Sequence, residues 1–168
     1  MPPVFTPIND PLAHAVHELL IAQKQKLAIA ESCTGGLITH RLTNLAGSST
    51  YLVAAVIAYA YEAKVAALGV NWDTLNQHGA VSPETAREMA RGARENFSAD
   101  IGIAVTGIAG PGGGTADKPA GLTYIALASA NKVIVQRFVW HGDRAQNKAQ
   151  SADAALEVLR RYLTQSSS

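Results

Sequence analysis

Short apolar segments alternate with amphipathic helical segments along most of this chain. Apolar runs at residues 27–30, 51–59 and 101–106 predict strands, and helical spacing of apolar residues predicts helices over 12–25 and 83–97. Because this alternation is typical of α/β proteins, we expect an α/β fold with helices on both faces of one sheet. The unbroken apolar run at 51–59 further predicts a strand that is buried on both faces.

A hairpin is predicted near the C-terminal end. Residues 122–129 and 133–140 are apolar runs separated by the tight turn Ala130-Asn131-Lys132, a pattern typical of two antiparallel strands. A last amphipathic helix is predicted over residues 144–163. Parallel and antiparallel strands together make a mixed sheet, so the expected architecture is a single three-layer α/β domain.

The two ends of the chain are predicted to lie outside this domain. Residues 1–10 are polar and proline-rich and predict a flexible N-terminal tail, and the serine-rich residues 165–168 predict a disordered tail. The domain is therefore expected to span residues 11–164. A length of 168 residues fits one domain, and a composition with 48% hydrophobic and 16% charged residues excludes a disordered chain.

Charge and cysteine content exclude several partners and environments. The formal net charge of +1 offers no basic face for nucleic acid or for an acidic membrane surface. The longest apolar run, residues 51–61, is shorter than the ~20 residues that span a bilayer. The single cysteine, Cys33, excludes an internal disulfide and fits the reducing cytoplasm. Alanine and glycine are common at predicted contacts, so we expect closely packed elements and a homo-oligomer.

The first candidate functional segment, residues 31–36, lies between a predicted strand and a predicted helix. Thr34 is the expected N-cap of that helix, and free backbone N–H groups at a helix start attract anions. Ser32 adds a hydroxyl group, and Gly35 lets a ligand approach the backbone closely. The same residues also fit an ordinary capped turn, so both interpretations stay open at this point.

Two further segments carry a hydroxyl group and an amine. Ser49 lies in Gly47-Ser48-Ser49-Thr50, and a serine becomes a nucleophile only when a nearby base takes its proton. The Gly-x-Ser-x-Gly elbow of α/β-hydrolases is absent. Lys64 follows the strand at 51–59 and can serve as a base if its pKa falls far below ~10.4. Tyr59, at the end of that strand, can stack on a flat ring or donate a hydrogen bond.

A glycine-rich loop follows the strand at residues 101–106. The loop resembles a phosphate cradle, because glycine allows a ligand to approach backbone N–H groups. It matches neither a Walker A loop nor a dinucleotide-binding fingerprint, so it predicts ligand contact without specifying the nucleotide. The candidate ligand contacts in this segment are Thr106, Gly107, Gly110 and Gly112.

Arg144 and the histidines complete the candidate ligands. Arg144 follows the predicted N-cap Asp143 and can reach a phosphate or a carboxylate. His14 and His17 lie three residues apart on a predicted helix without an acidic partner, so no metal site and no cofactor are predicted. No histidine has a serine partner at a recognisable spacing, so no Ser-His-Asp triad can be assembled.

Taken together, these motifs resemble the CinA C-terminal domain, the competence/damage-inducible family, over roughly residues 12–163. They occur in the family's order along the chain. The matching segments are Ala30-Glu31-Ser32-Cys33-Thr34-Gly35-Gly36, Gly47-Ser48-Ser49, Tyr59 with Ala63-Lys64, Leu68-Gly69-Val70, Gly79-Ala80-Val81-Ser82, Ala99-Asp100, Thr106-Gly107-Ile108-Ala109-Gly110-Pro111 and Gly142-Asp143-Arg144.

The resemblance implies a compact α/β domain with nicotinamide mononucleotide deamidase activity. Such a hydrolase converts nicotinamide mononucleotide to nicotinic acid mononucleotide and ammonia, which feeds pyridine nucleotide salvage. The family's domain occurs alone or behind a molybdopterin-binding-like domain, and this chain resembles the stand-alone form. Where the family has Tyr-Ser-Asn, this chain has Tyr59-Ala60-Tyr61. The functional positions carried over are Ser32, Ser49, Tyr59, Lys64, Thr106 and Arg144.

A mechanism follows as a hypothesis from the resemblance and the residue types. Ser49 is the expected nucleophile, Lys64 its base and Tyr59 an aid to proton transfer, with Ser32 as the alternative nucleophile. Backbone N–H groups near Thr34 and Gly35, or near Gly107, are the expected oxyanion donors. The phosphate ligands are expected to be Thr106, the loop at 110–114 and Arg144.

A non-catalytic function is the alternative. The domain would then bind a nucleotide as a sensor or partner-recruiting module linked to competence or DNA damage. Loss of the family's serine and asparagine at Ala60-Tyr61 would be the trace of that change.

Overall fold

One five-stranded mixed sheet forms the centre of the protein, which a computed structural model describes over residues 9–166. The first three strands are parallel, and the last two form the predicted antiparallel hairpin. The strand order across the sheet is β2-β1-β3-β4-β5. The strands are β1 Leu27–Glu31, β2 Leu52–Ile57, β3 Ile101–Gly107, β4 Leu122–Ala128 and β5 Val133–Val139.

Helices cover both faces of this sheet. The helices are α1 Pro11–Gln23, α2 Leu37–Thr43, α3 Tyr61–Leu68, α4 Trp72–His78, α5 Pro83–Asn96 and α6 Arg144–Gln165, and a short 3₁₀ helix spans Ser48–Thr50. On one face lie α1, α2 and α6, and on the other lie α3, α4 and α5. The predicted single three-layer α/β domain is therefore confirmed. Within the described residues, no helix combines the length and apolar character that crossing a bilayer requires.

The two faces of the sheet carry side chains of different size. On β1, Leu27 and Ile29 point into the core with α1, α2 and α6, whereas Ala28 and Ala30 face α5. Small residues let α5 lie close to the sheet, since a Cβ added at Gly102 would come within 2.0 Å of the Ala90 carbonyl oxygen. The close packing expected from the alanine and glycine content is present on this face.

The prediction that the strand at 51–59 is buried on both faces is wrong. That segment forms β2, which is an edge strand, and its residues alternate between half-buried and exposed. Val53 is 45% exposed and Ile57 is 54% exposed. The strands buried on both faces are β1, most of β3 and most of β4. An apolar run indicates a strand, but it does not indicate whether a neighbour covers its second face.

The predicted tails fall mainly outside the described residues. Residues 1–8 and 167–168, over which most of the flexible N-terminal tail and part of the disordered C-terminal tail are predicted, lie there. Asp10, which the tail prediction includes, is the N-cap of α1, and its carboxylate accepts a hydrogen bond from Ala13 N. The same carboxylate lies 2.6 Å from Arg41 Nε, which holds the start of α1 against α2. Gln165 is the last residue of α6.

Candidate active site

The carboxyl ends of the three parallel strands meet at one edge of the sheet. Ser32 follows β1, Tyr59 follows β2 and Gly107 ends β3. Open α/β sheets bind ligands at this edge, and here it holds a cavity of about 260 Å³. The predicted site residues that line the cavity are Ser32, Tyr59, Lys64, Thr106, Gly107, Gly110, Gly112 and Arg144.

A serine and a lysine are in contact at the floor of this cavity. Lys64 Nζ lies 3.1 Å from Ser32 Oγ, and both side chains are buried. Lys64 reaches the site from the first turn of α3, and Ser32 begins the turn that connects β1 to α2. The two residues are 32 positions apart in sequence, so the pair exists only because β1 and β2 are adjacent in the sheet.

Burial lowers the pKa of Lys64 to about 8, because removing the ammonium group from water disfavours its charged form. Two carbonyl oxygens also contact Nζ, that of Ala58 at 2.6 Å and that of Tyr59 at 3.4 Å. A neutral amine has two hydrogens and one lone pair. When both hydrogens point to these carbonyls, the lone pair is directed at the Ser32 hydroxyl, which is the arrangement a general base requires.

Glu31 organises the turn that carries Ser32. Its carboxylate is fully buried and accepts hydrogen bonds from the backbone N–H groups of Gly36, Ile38 and Thr39, and from the Thr39 hydroxyl. The prediction that Thr34 caps α2 is therefore wrong, since Gly36 is the N-cap residue. The N–H groups expected to attract an external anion already bind this internal carboxylate. The sequence contains no signal for this role, because Glu31 is simply a polar residue at the end of a predicted strand.

We expect E31Q to lower the free energy of unfolding by about 2–4 kcal/mol, because an amide replaces one of two oxygens that each accept two hydrogen bonds. Thermal and urea denaturation followed by circular dichroism measures this change. E18Q is the matched control, because Glu18 lies on α1 and makes no ion pair among the described residues. Equal stability of E31Q and the parent protein would contradict the assigned role.

The turn after Ser32 offers hydrogen-bond donors to a ligand. Within residues 9–166, the Cys33 and Thr34 N–H groups donate to no other residue, and the buried Thr34 hydroxyl has no hydrogen-bond partner. By contrast, Gly35 N donates to Ser32 O. Burial raises the pKa of the Cys33 thiol to about 11, so this cysteine stays protonated beside the serine and is a poor nucleophile at neutral pH.

Arg144 spans the mouth of the cavity. Its Nη1 donates to Gly110 O at 2.9 Å, and its Nη2 donates to the Tyr59 hydroxyl at 3.0 Å. Asp143 is the N-cap of α6, as predicted, and forms a capping box with Gln146 that fixes the start of that helix. The Tyr59 hydroxyl is thus engaged with Arg144, and only the Tyr59 carbonyl contacts Lys64.

Thr106 helps to build the cavity wall. Its hydroxyl donates to Ala80 O at 2.7 Å, so its hydrogen is used within the protein. The Tyr61 hydroxyl accepts from Ala80 N at 3.2 Å. Gly110 and Gly112 also line the cavity, and Gly110 O is an acceptor for Arg144. Of the predicted phosphate ligands, only Arg144 combines a positive charge with a place on the cavity.

Ser49 is separated from the other candidate residues within the chain. It is exposed in the 3₁₀ helix that precedes β2. The next residue, Thr50, accepts a hydrogen bond through its carbonyl from Lys26 Nζ, and Lys26 directly precedes β1, so this helix lies at the amino end of both strands. Lys64 lies beyond the other end of β2, and the six residues of that strand span about 20 Å. The expected contact between Ser49 and Lys64 is therefore absent within one chain, and Ser32 is the serine that Lys64 contacts.

Side chains that could hold a metal ion are a separate matter, since no metal site is predicted from the sequence. Among residues 9–166, no three histidine, cysteine, aspartate or glutamate side chains are grouped so that they could hold a metal ion.

A larger groove of about 560 Å³ lies at the opposite end of the sheet, beside Arg94 and the hairpin turn. Its charged lining side chains are three arginines, one lysine and one glutamate, and none of the predicted site residues lines it.

The fold and this site define a class of protein, namely an α/β domain with a buried serine–lysine pair at the carboxyl edge of an open mixed sheet. The family profile described as the CinA C-terminal domain matches residues 9–163. The chain belongs to this family, as its motifs indicate. A CinA-like protein from Chloroherpeton thalassium is 48% identical over 167 residues, which cover 97% of this chain and 40% of that protein. The chain thus spans about two fifths of the length of such relatives.

Solved structures of the family share the whole fold. A CinA superfamily protein from Klebsiella pneumoniae is 35% identical with a TM-score of 0.88, and the match covers 92% of this chain and 96% of that one. The competence/damage inducible protein CihA from Agrobacterium tumefaciens is 39% identical with a TM-score of 0.88, covering 91% and 93%. The sheet order and the surrounding helices are therefore those of the family.

Proposed function

We propose that this domain is an amidohydrolase that converts nicotinamide mononucleotide to nicotinic acid mononucleotide and ammonia. The observation that carries the proposal is the contact between the Ser32 hydroxyl and the buried Lys64 amine, whose pKa is lowered to about 8. A hydroxyl nucleophile with an adjacent amine base is sufficient for hydrolysis of a carboxamide. The resemblance to the deamidase family supplies the substrate.

In the first step, the neutral Lys64 amine takes the proton of the Ser32 hydroxyl as Ser32 Oγ attacks the carboxamide carbon. The carbonyl oxygen becomes an oxyanion, and the Cys33 and Thr34 N–H groups are the donors that lie nearest to the nucleophile along the chain. An oxyanion bound by the backbone after the nucleophile is the arrangement used in strand–turn–helix elbows. Here β1, the turn and α2 form such an elbow.

In the second step, the carbon–nitrogen bond breaks and the Lys64 ammonium gives its proton to the leaving nitrogen, so that ammonia departs. An ester between Ser32 and the nicotinoyl group remains. Water then attacks this ester while Lys64 accepts one water proton and returns it to Ser32 Oγ; the released carboxylic acid loses its own proton to solvent and becomes the carboxylate product. This sequence consumes one water molecule and leaves both residues in their starting states.

The direct test is to incubate the purified protein with nicotinamide mononucleotide, quantify ammonia and separate the nucleotides by chromatography. The proposal predicts equal amounts of ammonia and nicotinic acid mononucleotide. The S32A variant, treated identically, controls for a contaminating deamidase. Absence of both products at every substrate concentration would overturn the proposal.

We expect kcat/KM to rise with pH through an apparent pKa of about 8, because only the neutral Lys64 amine accepts the serine proton. Between pH 6 and pH 7 the rate should rise almost tenfold per pH unit and then level off above pH 9. Initial rates in buffers of constant ionic strength measure the profile. A rate that is constant from pH 6 to pH 9 would contradict Lys64 as the base.

A second function, binding without turnover, is favoured by one observation. Tyr61 replaces the family's asparagine, and its hydroxyl contacts Ala80 N in the cavity wall. The side chain at this position thus supports the cavity wall at Ala80 and takes no part in the contact between Ser32 and Lys64. A non-catalytic nucleotide sensor would show thermal stabilisation by nicotinamide mononucleotide without product.

A further inference from the structure

A second cavity adjoins the candidate active site at Arg144. It has a volume of about 420 Å³ and is lined by Leu37, Arg144, Ala145 and Lys148. Arg144 also lines the cavity that contains Ser32 and Lys64. A ligand can therefore extend from the serine–lysine pair, past the Arg144 side chain, towards Lys148. We call this second cavity the Lys148 cleft.

Lys148 is a cation without a partner in the described part of the chain. It lies one turn after Arg144 on α6, and no carboxylate lies within ion-pair distance of its Nζ among residues 9–166. Its amine lies over the turn that carries the nucleophile, since a Cβ added at Gly35 would be 3.5 Å from Lys148 Nζ. A half-buried lysine held against backbone without an acidic partner is suited to bind an anion.

Apart from the Cys33 and Thr34 N–H groups, which are assigned to the oxyanion, the other candidates for an anion ligand already make hydrogen bonds within the protein. The first N–H groups of α2 bind Glu31, and the Thr106 hydroxyl donates to Ala80 O. Lys118 of the glycine-rich loop donates to the His78 carbonyl. Arg144 uses one N–H of Nη1 for Gly110 O and one N–H of Nη2 for the Tyr59 hydroxyl, which holds its guanidinium across the mouth of the cavity.

The Glu31 carboxylate favours a cation beside any phosphate that approaches the turn after β1. This carboxylate lies directly below the turn at residues 32–36, so a phosphate placed beside that turn experiences repulsion from it. Two amines lie at this turn, since Lys64 Nζ is 3.1 Å from Ser32 Oγ and a Cβ added at Gly35 would be 3.5 Å from Lys148 Nζ. Lys64 is occupied by Ser32 and two carbonyls, so Lys148 is the amine that remains for a ligand.

We propose that Lys148 binds the phosphate monoester of the substrate and thereby makes the enzyme select a mononucleotide over the corresponding nucleoside. This inference rests on the proposed amidohydrolase function, which it deepens. The carboxamide lies at Ser32, the ribose passes Arg144, and the phosphate enters the Lys148 cleft. A lysine acts there as a point charge with three rotatable donors, so it contributes binding and takes no part in the chemistry at the carboxamide.

The test compares nicotinamide mononucleotide with nicotinamide riboside, which lacks the phosphate, as substrates of K148M. We expect the ratio of kcat/KM for nucleotide over nucleoside to fall roughly 10- to 100-fold, mainly through KM, because a charge-assisted hydrogen bond is lost. K148R should restore most of the ratio. K132M is the matched control, because Lys132 lies in the hairpin turn at the opposite end of the sheet. An unchanged ratio in K148M overturns the proposal, whether both kcat/KM values stay the same or both fall by the same factor.

A binding measurement separates this inference from the proposed function. In the S32A background, calorimetric titration with nicotinic acid mononucleotide should show affinity that K148M weakens at least tenfold and K132M leaves unchanged. If the parent protein releases no ammonia from either compound, the amidohydrolase function fails while this titration still decides the role of Lys148. Equal affinity of S32A and S32A/K148M for the nucleotide would overturn the phosphate site.

Discussion

S32A is expected to reduce ammonia release from nicotinamide mononucleotide by roughly 10³-fold or more. The substitution removes the only hydroxyl that Lys64 Nζ contacts among the described residues. No ester can form on alanine, so the remaining activity reflects direct attack by water in a site that still binds substrate and stabilises the oxyanion. The measurement is kcat from a continuous ammonia assay, with the nucleotide product confirmed by chromatography.

S49A is the comparison that decides between the two serines. Ser49 is exposed at the other end of β2, so its removal should change kcat less than twofold if a single chain holds the whole site. Full activity of S32A together with inactivity of S49A would contradict Ser32 as the nucleophile. Loss of activity in both variants would mean that Ser49 enters the site from a second copy, and mixing the two inactive variants should then restore part of the rate.

The structural consequences of S32A should be small. The hydroxyl contributes one buried contact, and the backbone Ser32 N–H still donates to Val105 O. We therefore expect the free energy of unfolding to change by about 1 kcal/mol. A matching far-ultraviolet circular dichroism spectrum and a similar Tm would show that lost activity is not lost folding.

The gathering of Ser32, Tyr59 and Gly107 at one edge could be predicted from sequence. Each follows an apolar run that predicts a strand, and carboxyl ends of parallel strands meet at the same edge. The same rule excludes the Ser49–Lys64 pairing, because a residue that precedes a strand lies at the opposite edge from one that follows it. The expectation of a Ser49 nucleophile rests on the resemblance of motifs, and the order of motifs along a chain does not specify at which edge of the sheet each motif lies.

The roles of Glu31 and Lys148 could not be predicted from sequence. A carboxylate after an apolar strand is typical of a solvated turn, and only the fold shows that α2 begins directly over it. Lys148 lies in a helix rich in polar residues, where a lysine is ordinarily solvent-exposed. Its position over Gly35 depends on how α6 packs against α2, which involves residues more than 100 positions apart.

K64M is expected to abolish turnover, with a loss of roughly 10³-fold or more, while the protein stays folded. Methionine has nearly the same length and no basic group, so Ser32 keeps its place but loses its proton acceptor. The carbonyls of Ala58 and Tyr59 lose a donor, which costs about 1–3 kcal/mol, and removal of a buried amine offsets part of that cost. Ammonia release and urea denaturation measure the two effects separately.

K64A provides a sharper test of the base. Truncation leaves space beside Ser32 that a small primary amine can enter, whereas methionine fills the same space. Added methylamine or ethylamine should therefore restore part of the activity of K64A and none of that of K64M. Restoration should increase with pH, as the free amine becomes the dominant form. A K64A variant that no amine restores, or a K64M variant with substantial activity, would contradict the role of Lys64.

The pH dependence of stability gives a second, independent signature of Lys64. Its pKa is about 8 in the folded protein against an ordinary 10.5, so the unfolded chain binds more protons between these values and stability rises with pH across that window. Cys33, with its pKa raised to about 11, acts in the opposite direction near pH 9–11. Because Lys64 itself lowers the pKa of Cys33, Cys33 is replaced by alanine in both proteins, and the difference in unfolding free energy between the parent protein and K64M then isolates the lysine. That difference should shift in favour of the parent protein from pH 8 to pH 10.5, and a constant difference would mean that the Lys64 pKa is not lowered by burial.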